Sequence, residues 1–348
     1  MIFSYPRVLT ANLVIVGILS PVCGFCFDLQ QFTNAQKFYF AGDEQDQEEN
    51  GDEPEYVPYI PKPYGAWFMT YGNHAKQEAQ DATFGYSLGT LGFGLGLDWH
   101  YFDGWIVGLG IRFDHTDLNS DNFVGTNIDF GSTRLFLYSR YNIAPHWFIN
   151  GTAAYAFHTY NTQRRGITFP FGVMEVTDIG GDIDGRQWFL ELNTGYQWSC
   201  GNLQILPKIG MQYSNLSVHE YSEFGVPGLN RFFPDHHLNS LKWNADLMLA
   251  YQNSFPNIQL LPFIHGKVFY DSEQDPQELT ANVLGGGSAF PTFGHLPPRT
   301  SYQVGAGFTL FGLHNMEVTM RYEYTFKHLY RDHAALIYIH HEWDANHK

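Results

Sequence analysis

From Tyr64 to Trp343 the chain repeats one pattern, long runs in which every second residue is apolar. In Leu91–Tyr101 the apolar row is Leu91, Phe93, Leu95, Leu97, Trp99 and Tyr101, and Gly92, Gly94, Gly96, Asp98 and His100 fill the other parity. Trp105, Val107, Leu109, Ile111 and Phe113 oppose Gly108, Gly110, Arg112 and Asp114; Met316, Val318, Met320, Tyr322 and Tyr324 oppose Glu317, Thr319, Arg321 and Glu323. A repeat of two residues belongs to a strand whose faces meet unlike surroundings. The pattern predicts strands over 64–74, 85–101, 105–115, 128–141, 147–160, 186–199, 203–216, 238–252, 258–271, 300–312, 315–328 and 333–343.

These runs reach about ten to fifteen residues, whereas soluble strands average about 5–6. A tilted strand crossing a membrane needs roughly 9–11. Short turns at Phe102-Asp103-Gly104, Asn142 to His146, Cys200-Gly201-Asn202, Asn253 to Asn257 and Leu313-His314 alternate with long polar or glycine-rich segments after the third, fifth, seventh and ninth strands. All eight tryptophans are assigned to the apolar row, and Trp99, Trp105, Trp147, Trp198 and Trp343 lie near short turns or the C-terminus, as an interfacial girdle would. The expected fold is therefore all-β: a transmembrane antiparallel barrel of twelve strands, of outer-membrane type. A water-soluble β-sandwich is the competing fold.

Composition agrees with surroundings other than water. Aromatic residues make up 17% and charged residues 16% of the 348 residues, against about 25% charged in soluble domains. A net charge of −16 argues against nucleic acid as a partner. The acidic run from Asp43 to Glu55 and the prolines Pro54, Pro58, Pro61 and Pro63 predict a solvated, extended linker. Arg7, the apolar run Val8 to Leu19 and the break at Ser20-Pro21 read as a cleaved secretory signal. The expected organisation is a signal over 1–26, a linker or lumen segment over 27–63 with Asp28 to Phe40 either a plug or disordered in the periplasm, a barrel over 64–343 and a tail over 344–348. Once the signal is removed Cys200 is the single cysteine, so strand pairing and not disulfides must stabilise the fold.

The segment from Tyr64 to Trp343 resembles the autotransporter β-domain family. The likeness is carried by Tyr64-Gly65-Ala66-Trp67, by Gly85-Tyr86-Ser87 leading into Gly92 to Asp98, and by Trp105 to Ile111. It continues through Leu135 to Tyr138, Phe148 to Tyr155, Gly195 to Trp198, Leu206-Pro207-Lys208 with Tyr213-Ser214, Leu261-Pro262-Phe263 and the terminal aromatic Trp343. The resemblance implies an outer-membrane translocator barrel in a Gram-negative-type bacterium, seated in outer-membrane lipid by the barrel-insertion machinery and working as a monomer, with the preceding segment passing through its lumen. Two features depart from the family: a short stretch between signal and barrel that leaves no room for a conventional passenger, and a tail, Asp344 to Lys348, after the last aromatic. A small porin or channel, and an adhesin acting through loops 161–185, 217–237 and 272–299, stand as alternatives.

The inward parity gathers charges of both signs, Asp98, Arg112, Arg134, Arg140, Glu191, Lys208, Asp246, Lys267, Glu317, Arg321 and Glu323. They line either a pore or a salt-bridged polar interior. Glycines 92, 94, 96, 108, 110, 305 and 307 are expected to widen it. No catalytic set is expected: a phospholipase-like His-x-Ser-Asn-Gly is absent from the sequence, and His115 with Asp117 reads as polar loop chemistry. No cofactor or metal is expected either, because the adjacent pairs His236-His237 and His340-His341 point to opposite faces of a strand and Gly285 to Gly287 precedes no helix or lysine.

Overall fold

The computed structural model describes residues 62–79, 84–101, 104–121, 125–168, 175–255, 258–273, 278–284, 290–293, 298–313 and 315–344. The expected signal, most of the linker with the proposed plug, Gly285 to Gly287 and the tail beyond Asp344 lie outside them. The alternating segments form twelve barrel strands: β1 (Tyr64–Gln77), β2 (Tyr86–Tyr101), β3 (Trp105–Ser120), β4 (Asn127–Ala144), β5 (Trp147–Thr168), β6 (Glu175–Tyr196), β7 (Leu203–Val218), β8 (His236–Tyr251), β9 (Ile258–Asp271), β10 (Thr300–Leu313), β11 (Met316–Lys327) and β12 (Tyr330–Trp343). Each pairs antiparallel with its neighbours in the chain. The last returns to the first, from Tyr64 opposite Trp343 to Gln77 opposite Tyr330, so no barrel strand is left as an open edge.

Tight turns lie at one end, together with the start of β1 and the end of β12. Gly201 (φ +57°) and Asn315 (φ +62°) adopt left-handed backbone there, a conformation open to glycine and tolerated by asparagine. At the opposite end the connections are less uniform than the sequence predicts. β3 continues to Ser120 and β4 begins at Asn127, which shortens the expected loop after the third strand. β12 begins at Tyr330, and His328 and Leu329 alone link it to β11.

The largest differences fall on the segments expected to be long loops. Much of 161–185 is strand: β5 and β6 continue as a ribbon paired from Gln163–Gly180 out to Thr168–Glu175. Backbone pairing needs no apolar row once the strands leave the wall, so the glycine- and aspartate-rich composition hid it. Short strands at Tyr221–Ser222, Arg231–Phe233, Glu278–Val283 and Phe290–Phe293 build a separate four-stranded sheet from the other two loops.

The two faces of the wall differ as the period of two requires. On β4, Leu135 and Leu137 project outward and are about half exposed, at 49% and 55%, while Arg134 between Thr133 and Leu135 is 2% exposed. The outward row recurs around the barrel in Phe93, Leu95, Leu109, Leu190, Leu192, Leu247, Ile264, Val304 and Ile337. A continuous apolar surface of this extent is foreign to a monomeric soluble protein, whose largest exposed patch covers a few hundred Å². β1 breaks the tryptophan assignment. Its apolar residues occupy both parities, and Trp67, Met69 and Tyr71 face the interior while Phe68 faces out.

Candidate functional site

Inside the barrel the wall is packed in tiers. At the short-turn end Phe148, Leu206, Met248, Ala250, Leu261, Phe263 and Phe311 form one apolar cluster. At mid-height Trp67 stacks on Phe136 and Tyr338 at centroid distances of 5.7 and 6.0 Å. The glycines of β2 and β3 are the floor for these rings: a Cβ on Gly96 would overlap Trp67, one on Gly108 would overlap Tyr138, and one on Gly110 would meet both Phe136 and Trp67. The expectation that they widen the lumen is therefore corrected, since aromatic side chains from β1 and β4 take up the room they leave. The same holds at Gly92, filled by Tyr71, at Gly305, filled by His265, and at Gly307, filled by Phe263.

All eleven charged residues picked out by parity are buried: Asp98, Arg112, Arg134, Arg140, Glu191, Lys208, Asp246, Lys267, Glu317, Arg321 and Glu323. On the β7–β11 side Lys208 Nζ lies 2.7 Å from Asp246 Oδ2, the two residues standing directly opposite in the β7–β8 register. His265 then bridges Asp246 at 4.0 Å and Glu323 at 3.3 Å, and Glu323 accepts from Gln303 at 2.9 Å while pairing with Arg321. On the β2–β4 side Arg112 pairs with Asp114 at 2.7 Å and lies over the Tyr71 ring at 4.4 Å. Arg140 covers Phe148 at 3.9 Å, Glu191 accepts from Asn193 and Gln212, and Lys267 sits over Phe269 at 4.7 Å. Cations near aromatic faces gain from the ring quadrupole, an arrangement that holds charge against the wall.

Towards the long-loop end the lining becomes apolar again. Tyr86, Leu88, Leu118, Ile128, Phe130, Tyr160, Ile183, Leu216 and Val218 form a buried collar, joined by Tyr221 and Phe233 of the small sheet, whose rings stack at 4.7 Å. A buried ion pair fixes that sheet to the β5–β6 ribbon: Arg164 grips Glu223 through Nε at 2.8 Å and through Nη2, and Glu223 also accepts from the Arg231 backbone N–H at 3.0 Å. Phe224 exchanges backbone hydrogen bonds with Gly180 on the ribbon, both 2.9 Å. Burial pushes the Tyr221 phenol above its ordinary range and lowers the Arg231 guanidinium, which Arg164 lowers further.

The expected interfacial aromatics sit on the outward face at the short-turn end. Trp105, Trp147, Trp198 and Trp343 are exposed and Trp99 is half-buried; Trp105 donates to Ser139 Oγ at 2.9 Å. His115 and Asp117 lie 3.3 Å apart, both exposed and on the outward parity of β3, away from the lumen. His340 points inward and His341 outward. The set of lining charges left out several inward polar residues that complete these networks: Asp114 and Gln212, which parity placed inward, and Gln187, His265 and Gln303. They occupy the same alternating row as the charges, so the row itself would have found them.

The closed barrel with this lining can be set beside known proteins. The family model of the autotransporter beta-domain matches residues 66–323. The chain belongs to the autotransporter β-domain family. Among its relatives, outer membrane protein B of Rickettsia prowazekii is 22% identical over 320 residues, 89% of this chain and 19% of that protein. Outer membrane protein A of Rickettsia conorii is 23% identical over 250 residues, 71% of this chain and 12% of that protein. The chain thus spans less than a fifth of the length of these relatives. Among solved structures, the translocator domain of the autotransporter NalP from Neisseria meningitidis superposes with a TM-score of 0.65 at 14% identity, covering 82% of this chain and 90% of that one. The β domain of the Bordetella autotransporter Brka gives 0.53 at 12% identity, covering 81% and 100%. This autotransporter β-domain is an outer-membrane barrel; in barrels of that kind the short turns are periplasmic and the longer connections extracellular.

Proposed function

We propose that the barrel acts as a translocator, with the segment before β1 entering the lumen from the periplasmic rim and leading toward the surface. Lys62 carries the reading: two residues before β1 it is held at the rim, its backbone N–H donating to the buried Glu342 at 3.1 Å and its ammonium 2.8 Å from Asp344. The tethered chain therefore joins β1 at the mouth of the lumen, the position from which a leading segment would enter it. In this reading residues 1–26 are a removed signal and residues 27–63 are the lumen segment. The barrel works as a monomer inserted by the barrel-assembly machinery, binds no nucleic acid and catalyses no reaction. A porin is less well supported, because the collar around Tyr86, Phe130 and Tyr160 places apolar rings where a water-filled pore needs polar ones.

An epitope inserted between Asp43 and Glu55 of the full chain provides the test. In cells whose barrel is folded in the outer membrane, the epitope is expected to be reached by external protease and antibody. An epitope protected in intact cells and accessible only after outer-membrane permeabilisation would overturn the translocator reading.

A further inference from the structure

At the periplasmic rim the inward row brings together Asp98 and His100 of β2 with His340 and Glu342 of β12. Both strands pair with β1, which runs between them, and Gly65 stands opposite Asp98 on one side and Glu342 on the other. A Cβ at Gly65 would overlap Asp98 Oδ1 and His340 Nε2, so the absent side chain is what lets two strands that are not neighbours meet. The Asp98 carboxylate faces both Nε2 atoms, at 3.0 Å from His100 and 3.1 Å from His340. The Glu342 carboxylate lies on the far side of both rings, 3.9 Å from His100 Nδ1 and 3.7 Å from His340 Nδ1. Asp98, Glu342 and His340 are buried, at 5%, 0% and 2% exposure. Among the described residues this is the one group of three or more such side chains with ligand atoms mutually within 4.8 Å.

We infer that Asp98, His100 and His340 form a binding site for a borderline divalent cation of the zinc type, with Glu342 orienting both imidazoles. Zinc holds nitrogen and oxygen ligands at about 2.0–2.1 Å, which places tetrahedral ligand atoms roughly 3.3 Å apart. Asp98 Oδ1 lies 3.0 Å from His100 Nε2 and 3.3 Å from His340 Nε2, close to that figure. Three protein ligands leave the fourth position to water. A carboxylate behind the distal ring nitrogen fixes the tautomer that turns Nε2 to the metal, and Glu342 serves both rings in this way. Asp98 is held in turn: Trp67 Nε1 donates to the Tyr138 hydroxyl at 2.7 Å, which donates to Asp98 Oδ2 at 3.2 Å. Two buried carboxylates facing one pair of imidazoles form a site whose negative charge a dication offsets. His100 adds an independent observation, since neither of its buried ring nitrogens makes a hydrogen bond of ordinary geometry. The consequence is mechanical: the ion braces β12 to β2 across β1, at the seam where the barrel closes.

The ligands of this site are adjacent only across strands, so no pair of neighbouring histidines in the sequence marks it. His340 takes its partners from β2, and its chain neighbour His341 faces outward. The inference rests on the closed barrel and not on the translocator reading, and its failure would leave that reading untouched.

Untagged full-length barrel, refolded in detergent and stripped with chelator, would be titrated with Zn²⁺ by calorimetry and with Co²⁺ by visible absorption. One equivalent of Zn²⁺ is expected, with intense Co²⁺ d–d bands of a four-coordinate centre. His100→Gln and His340→Gln should each weaken binding at least tenfold, and Glu342→Gln by roughly 10–100-fold. Gly65→Ala should also abolish the site while keeping every ligand, and His341→Gln should bind like the parent. His100→Gln lies at the strand end, so it keeps the test decisive where His340→Gln fails to give the heat-modifiable band of a folded barrel. Absence of stoichiometric Zn²⁺ uptake by the parent, or parental affinity in His100→Gln and Gly65→Ala, would overturn the inference.

Discussion

Replacing Lys208 by methionine is expected to lower the unfolding free energy of the barrel by about 3–5 kcal/mol, the cost of leaving a buried charge without its partner. Lys208 and Asp246 have side chains 2% exposed and 2.7 Å apart, and removing the ammonium deprives the buried carboxylate of that partner. The double variant K208M/D246L should recover most of the loss, because two apolar groups of similar volume need no solvation. Urea titration in lipid vesicles, read by the fraction migrating as folded barrel, gives both values. A single variant as stable as the parent would mean that water reaches this pair freely and that the lumen at this height is an open aqueous channel.

The second large effect belongs to the outer face. Leu135→Arg, at the middle of β4 and flanked by Ile111 and Tyr155, should destabilise the bilayer-embedded protein by about 2–4 kcal/mol. Tyr141→Arg, six positions nearer the periplasmic turn and beside Trp105, should cost only about 0–1 kcal/mol. The gradient carries the information. Both residues are 49% exposed, so a water-facing surface would tolerate either arginine equally and within about 0.5 kcal/mol.

How far these properties can be read from sequence differs from strand to strand. Where one parity is apolar and the other polar, as on β2, β3, β7 and β11, the inward charges and outward leucines follow from the pleat alone. β1 defeats the rule, because Trp67, Met69 and Tyr71 lie on one parity and Phe68 on the other, and period alone cannot decide between two apolar faces. What settles it is a partner: the Trp67 ring needs the glycines of β2 and β3 beneath it, a fact of register. The ribbon formed by β5 and β6 was hidden for a related reason, since pairing beyond the wall is held by backbone hydrogen bonds that leave no apolar row. The ion pair between Arg164 and Glu223 and the rim cluster around Asp98 join residues far apart in the chain. Parity places His340 and Glu342 inward, but only strand order and barrel closure bring them to Asp98.

Fluorescence quenching by lipids brominated along their acyl chains tests directly whether hydrocarbon is the medium of the outward row. Single-tryptophan variants retaining Trp67, Trp188 or Trp243 would be reconstituted in such vesicles. Trp188 and Trp243 are 56% and 52% exposed on the outward face, whereas Trp67 is 6% exposed beneath Tyr138 and Phe136. Strong quenching of Trp188 and Trp243 with Trp67 spared is the predicted result. Equal quenching of all three, or none of Trp188 and Trp243 in a barrel shown to be folded, would contradict it.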